Sequence, residues 1–257
     1  MQSKPSPTTA QDTESKVLTR GRFLKATGGT VAFTALFGGL AGPALAQGTD
    51  PDTTTSIINA ALTAEQIATS FYYQGVAGPS APRLGPVHNN NNLNYFQAAL
   101  WQEYQHTQIL SGPPIGATSL TGSTAPTLYF PNGTFDNAGS FLSLLNTLEN
   151  AFIGAYLAAV NYWATTSQPV FAAAAAQIMG VEAEHRALGR VASGSNPPNN
   201  LVLEDALFAS VSAAVPVLLP FVEGGKGFTA VSYPSAAAIK AAVTQPIINS
   251  VSTPSLA

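Results

Sequence analysis

Four glutamates lie in the middle of four apolar, helix-forming segments, and this placement limits the folds that the chain can adopt. The segments cover about residues 54–76, 93–110, 138–165 and 169–192. The glutamates are Glu65, Glu103, Glu149 and Glu182. Positions three, four and seven residues away share a helix face with the glutamate, and in each segment they are mostly apolar. A carboxylate buried in this way needs a partner or a proton, so we expect the four glutamates to share a charge-compensating group.

Two of these glutamates are followed three residues later by a histidine. Glu103 precedes His106 and Glu182 precedes His185, a spacing that places both side chains of each pair on one helix face. The glutamates of the other two segments have no such histidine. This order is the ligand pattern of two-metal carboxylate sites in four-helix bundles. The predicted metal ligands are Glu65, Glu103, His106, Glu149, Glu182 and His185.

Charge balance indicates what the glutamates would bind. Charged residues make up only 9% of the chain, and the four segments offer too few Lys or Arg to neutralise four buried carboxylates. Two divalent ions would cancel the four charges and leave both histidines as neutral ligands. Oxygen-rich ligation suits iron or manganese. We therefore expect two divalent metal ions, Fe or Mn, as cofactors.

The remaining composition excludes several classes of partner and site. From residue 47 onward the chain has five Lys or Arg against eleven Asp or Glu, a net charge of about −6. No basic patch is present, so phosphate-neutralising nucleic-acid binding is not expected. The chain has no cysteine, which excludes disulfides, thiolate metal sites and cysteine nucleophiles.

Residues 1–46 are typical of an export signal. A polar leader ends in the stretch from Thr19 to Lys25, a small-residue apolar run follows, and Ala44-Leu45-Ala46 forms a cleavage pattern. The segment resembles a twin-arginine signal in which Gly21 replaces one Arg. A transmembrane anchor is the alternative, but the run contains Gly and Pro and is short for a span. We expect an exported protein located in the periplasm, cell envelope or extracellular space.

The lengths of the connections predict the topology. A very short link at 166–168 implies that the third and fourth helices are antiparallel neighbours, and the long link at 111–137 can run the length of a bundle. We expect an all-α bundle over residues 53–193 and a helical extension over 194–257, packed on the bundle, with helices at about 203–215 and 235–243. The apolar run 206–222 contains two prolines, so no stable membrane span is expected beyond the signal.

Together these residues resemble the ferritin-like superfamily, and more closely its exported branch of desiccation-related proteins. The resemblance covers about residues 53–225, including the six ligand positions, the stretch 181–186 and the Pro-rich turn 196–200. It implies a left-handed, ferritin-like four-helix bundle with a di-iron or di-manganese centre held by those six side chains. It also implies that Glu103 and Glu182 bridge the metals, and we take these two as the predicted catalytic residues.

Other polar residues near the glutamates receive simpler interpretations. Tyr72 and Tyr156 lie seven residues after Glu65 and Glu149, and we expect them to be core or hydrogen-bonding groups rather than radical sites. We expect Glu184 to be solvated, because it lies on the opposite face of its helix. His88 is interpreted as an ordinary surface residue.

The sequence leaves two classes of function open. The first is a redox enzyme that oxidises Fe(II) or decomposes peroxide, with metal ions and small oxidants as its partners. The second is a non-enzymatic stress or desiccation protein of the cell envelope with a structural metal site. Storage of iron in a cage is a weaker third interpretation. The sequence does not decide the substrate, the identity of the metal or whether the chain forms a homo-oligomer.

Overall fold

Four long helices form the body of the protein. The computed structural model describes residues 52–81, 84–85 and 89–256. The helices are α1 (Thr54–Ala77), α2 (Asn90–Ser111), α3 (Ala138–Thr165) and α4 (Pro169–Ala192). Helix α1 packs mainly against α2 and α3 mainly against α4, which makes two helical hairpins joined by the crossover 112–137. The predicted all-α bundle with one long crossover is confirmed.

Capping residues fix where these helices begin. The Thr53 side chain accepts a hydrogen bond from the backbone N–H of Ser56, and the Ser56 side chain accepts one from the N–H of Thr53. Pro169 occupies the first turn of α4, where its missing N–H is not needed. Helix α2 begins three residues earlier than predicted because Asn89 caps it by accepting from the N–H of Asn92. The asparagines at 90–92, just before the predicted segment, therefore form the first helical turn.

The crossover contains a strand that the sequence analysis did not predict. Strand β1 (Thr127–Pro131) pairs antiparallel with β2 (Phe228–Ser232), so that Tyr129 lies opposite Ala230. Five-residue strands are too short to be separated by pattern from the surrounding loops. The two-stranded sheet ties the crossover to the C-terminal extension.

The predicted helix at 203–215 is wrong. Residues 201–214 form no α-helix, and the next one, α5 (Val215–Glu223), begins where the prediction ended. Pro216 lies in its first turn, the position at which proline favours a helix start. Upstream, the backbone N–H groups of Val211 and Ser212 donate to the Asp52 carboxylate and so have a partner outside any helix.

The last part of the extension agrees better with the prediction. Helix α6 (Ala236–Ala242) lies within the predicted range 235–243, and Ser235 caps it. A further short helix, α7 (Gln245–Ser250), follows beyond the predicted range. Helices α6 and α7 pack against α2.

Apolar clusters lie on both sides of the mid-bundle glutamates. An aromatic cluster contains Phe71, Phe96 and Phe141, with the rings of Phe71 and Phe141 stacked 4.5 Å apart. A second cluster contains Ile58 of α1 and Trp163 near the end of α3. Since Ile58 and Phe71 flank Glu65 along α1, the glutamates lie in a polar layer between apolar ones.

Two predictions from the sequence lie outside the described residues: the export signal at 1–46 and the surface placement of His88. Within the part of the chain that the structure describes, no helix is both long enough and apolar enough to cross a membrane.

The close approach of α1 to the Phe141 ring gives a test of the packing. A Cβ at Gly75 would lie 2.5 Å from Phe141 Cε2, whereas a Cβ at Gly180 would meet nothing within 4 Å. Gly75→Ala should lower the free energy of unfolding by about 1–3 kcal/mol, because the stacked ring cannot move away. The control Gly180→Ala should raise it by about 0.5–1 kcal/mol through helix propensity. Chemical denaturation measures both, and equal effects of the two substitutions would contradict this packing.

Candidate metal centre

All six predicted ligands are buried at the middle of the bundle, and each helix contributes at least one. Helix α1 supplies Glu65 and α3 supplies Glu149. Helices α2 and α4 each supply a glutamate and a histidine from one face. The side chains of Glu103 and Glu182 are 0% exposed, which leaves both carboxylates without access to bulk water.

The six side chains form two overlapping groups, each suited to one metal ion. The His106 group consists of Glu65, Glu103, His106 and Glu182. The His185 group consists of Glu103, Glu149, Glu182 and His185. Within each group, one potential ligand atom from every residue lies within 4.8 Å of the others. Glu103 and Glu182 belong to both groups. They are the same two residues that were expected to bridge the two metals.

Each imidazole directs its Nδ1 atom toward the carboxylates of its group. His106 Nδ1 lies 3.1 Å from Glu65 Oε2 and 3.4 Å from Glu182 Oε1. His185 Nδ1 lies 2.9 Å from Glu103 Oε1 and 3.5 Å from Glu182 Oε2. The nitrogen and oxygen atoms of each group therefore converge from different helices on a common point.

Several of these atoms have no hydrogen-bond partner, and this supports a cation as their missing partner. No described residue forms a hydrogen bond with either oxygen of Glu103 or of Glu182, with Glu149 Oε2 or with His185 Nδ1. The 2.9 Å contact of His185 Nδ1 with Glu103 Oε1 is short but lacks hydrogen-bond geometry. Burying unpaired carboxylate oxygens is costly, and a metal ion at the common point would satisfy them. The donor set fits two metal ions.

Without metal, the cluster distributes protons among its members. Burial, and then the charge of Glu182, raise the pKa values of Glu103 and Glu149 well above the usual range. Burial alone would lower the pKa values of His106 and His185, but the surrounding carboxylates outweigh it and raise both. Burial alone would raise the pKa of Glu182, but its close contacts with the imidazoles of His106 and His185, and the positive charge that these carry when protonated, hold that pKa below its usual range. These glutamates and histidines must lose their protons before they can bind a metal ion. Protons and metal ions therefore compete for the site.

Glu65 belongs only to the His106 group and Glu149 only to the His185 group, and each of these two carboxylates accepts a hydrogen bond from a buried tyrosine. The Tyr72 hydroxyl donates to Glu149, and the Tyr156 hydroxyl donates to Glu65. Each tyrosine therefore reaches the glutamate of the other helix rather than its own. These reciprocal pairs require α1 and α3 to run antiparallel. Burial, and then the nearest carboxylate, raise the pKa of both hydroxyls, which keeps them neutral donors. The predicted hydrogen-bonding role is confirmed.

Gln102 is a contributor that the sequence analysis missed. Its Oε1 lies 2.9 Å from His185 Nε2, so an Nε2–H that donates to Gln102 leaves the Nδ1 lone pair free to bind a metal. The only available signal was its position directly before Glu103, which says nothing about a partner on α4. The corresponding residue before Glu182 is Val181, which cannot accept a hydrogen bond. The two groups are therefore not equivalent.

Arg186 is a second residue whose role was missed. It follows His185 directly, is buried, and donates from two nitrogens to the Glu204 carboxylate at 2.6 and 2.7 Å. A further hydrogen bond reaches Asn150 of α3. This bidentate pair anchors the C-terminal extension beside the face of α4 that carries Glu182 and His185. Glu184, in contrast, is exposed as predicted.

The hydrogen bond from His185 predicts that Gln102→Leu weakens metal binding in one group only. Loss of the acceptor should reduce affinity of the His185 group by roughly 10–100-fold, because the imidazole loses the contact that fixes its tautomer and orientation. Titration of metal-free protein with Mn²⁺ should then show one tight and one weakened site. Gln108→Leu, at an exposed position of the same helix, is the control and should leave both sites unchanged. Equal weakening by both substitutions would contradict this role.

Comparisons with known proteins agree with this geometry. The family model of the ferritin-like domain matches residues 53–195, which contain all four bundle helices and all six candidate ligands. No curated protein and no solved structure gives a significant match. With more than half of its length matched, the chain belongs to the ferritin-like domain family.

Proposed function

We propose that this protein binds two divalent metal ions, iron or manganese, and carries out redox chemistry on Fe(II), dioxygen or peroxide. The observation that carries the proposal is the pair of four-residue groups that share Glu103 and Glu182. Glu65 and His106 would complete one metal site, and Glu149 and His185 the other.

The charges of the site support two divalent ions rather than one. Four carboxylates carry four negative charges, and two neutral imidazoles add none, so two divalent ions balance the cluster. Each group offers three carboxylates and one imidazole, a mainly oxygen set that suits iron or manganese better than softer metals. Bound there, a pair of such ions would supply one-electron steps at adjacent positions.

The side chains of the bundle would prepare the site for this chemistry. The hydroxyls of Tyr72 and Tyr156 donate to Glu149 and Glu65 and so hold these carboxylates in orientation. The buried polar layer between apolar clusters excludes bulk water, which strengthens the electrostatic interactions inside. Glu103 and Glu182, shared by both groups, would keep the two metals at a fixed separation.

Two reactions have balanced stoichiometry at such a site. In the first, two Fe(II) ions as substrate each lose one electron, and dioxygen takes both electrons with two protons to give hydrogen peroxide. In the second, one hydrogen peroxide is oxidised to dioxygen while another is reduced to two waters. Both need only small molecules, which suits a site with completely buried carboxylates.

The same burial favours the alternative, a structural metal site in a non-enzymatic stress protein of the cell envelope. Closed sites whose ligands all come from the protein are typical of structural metals, whereas catalytic ones keep an open position. Turnover, rather than metal content, separates the two functions.

The central test compares substitutions of shared ligands with a substitution beside them. We expect wild-type protein to contain two metals per chain and to oxidise Fe(II) with dioxygen or consume peroxide. Glu103→Gln and Glu182→Gln should each reduce metal content and bring turnover to background, because both groups lose an anionic ligand. Glu184→Gln, exposed on the same helix as Glu182, should change neither quantity. Elemental analysis and oxygen-electrode rates measure the outcome.

The possible results separate the hypotheses. Two metals without turnover would favour the structural alternative. Metal at trace levels in wild type, with the same fold and stability in all three variants, would refute the metal site itself.

We also propose that the protein is exported, on the strength of residues 1–46 alone. Protein recovered from the envelope or culture medium should begin at Gln47, as determined by intact mass. Replacing Arg20 and Arg22 by Gln should retain the protein inside the cell, whereas Lys16→Gln in the polar leader should not. Retention of all three forms with residues 1–46 uncleaved would contradict export.

A further inference from the structure

An apolar cavity lies between α1, α3 and the C-terminal extension. Its free volume is about 30 Å³. A cavity needs roughly 10–15 Å³ of such volume to hold one water molecule. Alanines of the two helices form much of its wall, among them Ala60, Ala64, Ala151 and Ala155. The cavity therefore holds a molecule of only a few heavy atoms.

Residues 208–218, which we call the closing segment, form the side of the cavity that faces away from the bundle and leave it partly open to solvent. Phe208, Val211 and Leu218 contribute apolar side chains to the lining. Polar contacts hold this segment in place: the Asp52 carboxylate accepts from the backbone N–H of Val211 and of Ser212, each at 2.8 Å. Just before the segment, Glu204 forms the bidentate pair with Arg186 of α4. These attachments position the closing segment independently of how well the cavity is filled.

One lining residue connects the cavity to the metal centre. The Tyr156 side chain forms part of the wall, and its hydroxyl donates to Glu65 of the His106 group. A molecule in the cavity is therefore separated from a metal ligand by a single side chain. The other lining residues among those that the structure describes are apolar, so they offer a bound molecule almost no hydrogen-bond partners.

We propose that this cavity is a binding site for a small apolar molecule, dioxygen in the working protein, held next to the metal centre behind Tyr156. An apolar cavity with almost no hydrogen-bond partners disfavours water and hydrogen peroxide, which would lose hydrogen bonds on entering, and accepts apolar gases. The choice of dioxygen rests on the proposed function, whereas the binding of an apolar gas does not. The cavity would thus raise the local concentration of dioxygen beside the metal centre, but not that of hydrogen peroxide.

Xenon is the probe for the cavity itself, because it is apolar and directly visible in a crystal. Crystals of metal-free protein under xenon pressure should show xenon between α1, α3 and the closing segment. Ala155→Leu places a larger side chain in the wall and should abolish this xenon peak. Ala164→Leu, at an exposed position of the same helix, should retain it. Absence of xenon from the wild-type cavity would overturn the proposal without involving any metal.

Oxygen dependence tests the choice of dioxygen. In metal-loaded protein, Ala155→Leu should raise the apparent KM for dioxygen several-fold and leave the peroxide rate unchanged, whereas Ala164→Leu should change neither. Ala214→Leu in the closing segment is a second filling variant in case Ala155→Leu does not fold. An unchanged KM for dioxygen in a folded filling variant that no longer binds xenon would overturn the assignment.

Failure of the proposed function gives a different pattern. If wild-type protein turns over peroxide but not dioxygen, the choice of dioxygen is wrong and the proposed function stands. If it binds xenon and two metals but reacts with neither oxidant, the proposed function fails and the choice of dioxygen fails with it.

Discussion

The structure depends on the burial of four carboxylates in the interior of one helical bundle. Glu103 and Glu182 are completely buried, and their oxygens have no hydrogen-bond partner in the part of the chain that the structure describes. Such groups would destabilise the fold unless positive charge or protons compensate them. Within the described residues the buried Arg186 pairs with Glu204 instead, so it does not supply that charge to the centre. The four helices can meet at this layer only if bound cations or protons neutralise the carboxylates, and the proposed function assigns that role to two metal ions.

Much of the surrounding structure supports this layer. The antiparallel course of α1 and α3 lets Tyr72 and Tyr156 support the glutamates of the opposite helix. Gln102 orients the imidazole of His185, but the residue before Glu182 cannot do the same for His106. The His106 and His185 groups, which are otherwise similar, therefore differ in this contact. The extension is attached through Arg186, one residue after a candidate ligand, and its closing segment bounds the apolar cavity beside Tyr156. The centre and the extension therefore form one structural unit.

The bundle and the six candidate ligands could be predicted because they depend on local periodicity. Helix α3 has the predicted bounds, since apolar spacing and flanking turn residues are properties of a single segment. The pairing of Gln102 with His185 depends on the orientation of two helices, which no single segment encodes. The helix predicted at 203–215 failed for a similar reason. The backbone there bonds to Asp52, far away in the chain, and Pro216 places the helix start at the end of the predicted range. Strands β1 and β2 also depend on a distant partner, because each forms its backbone hydrogen bonds with a segment about 100 residues away.

The most direct test of the two-metal centre is a crystal structure of the manganese-loaded protein with anomalous scattering data. The arrangement predicts two anomalous peaks at the middle of the bundle, one within the His106 group and one within the His185 group, both in contact with Glu103 and Glu182. An ordered bundle whose six side chains adopt the arrangement described, with no anomalous peak among them at saturating Mn²⁺, would contradict it. The four glutamates would then have to be neutralised by protons alone.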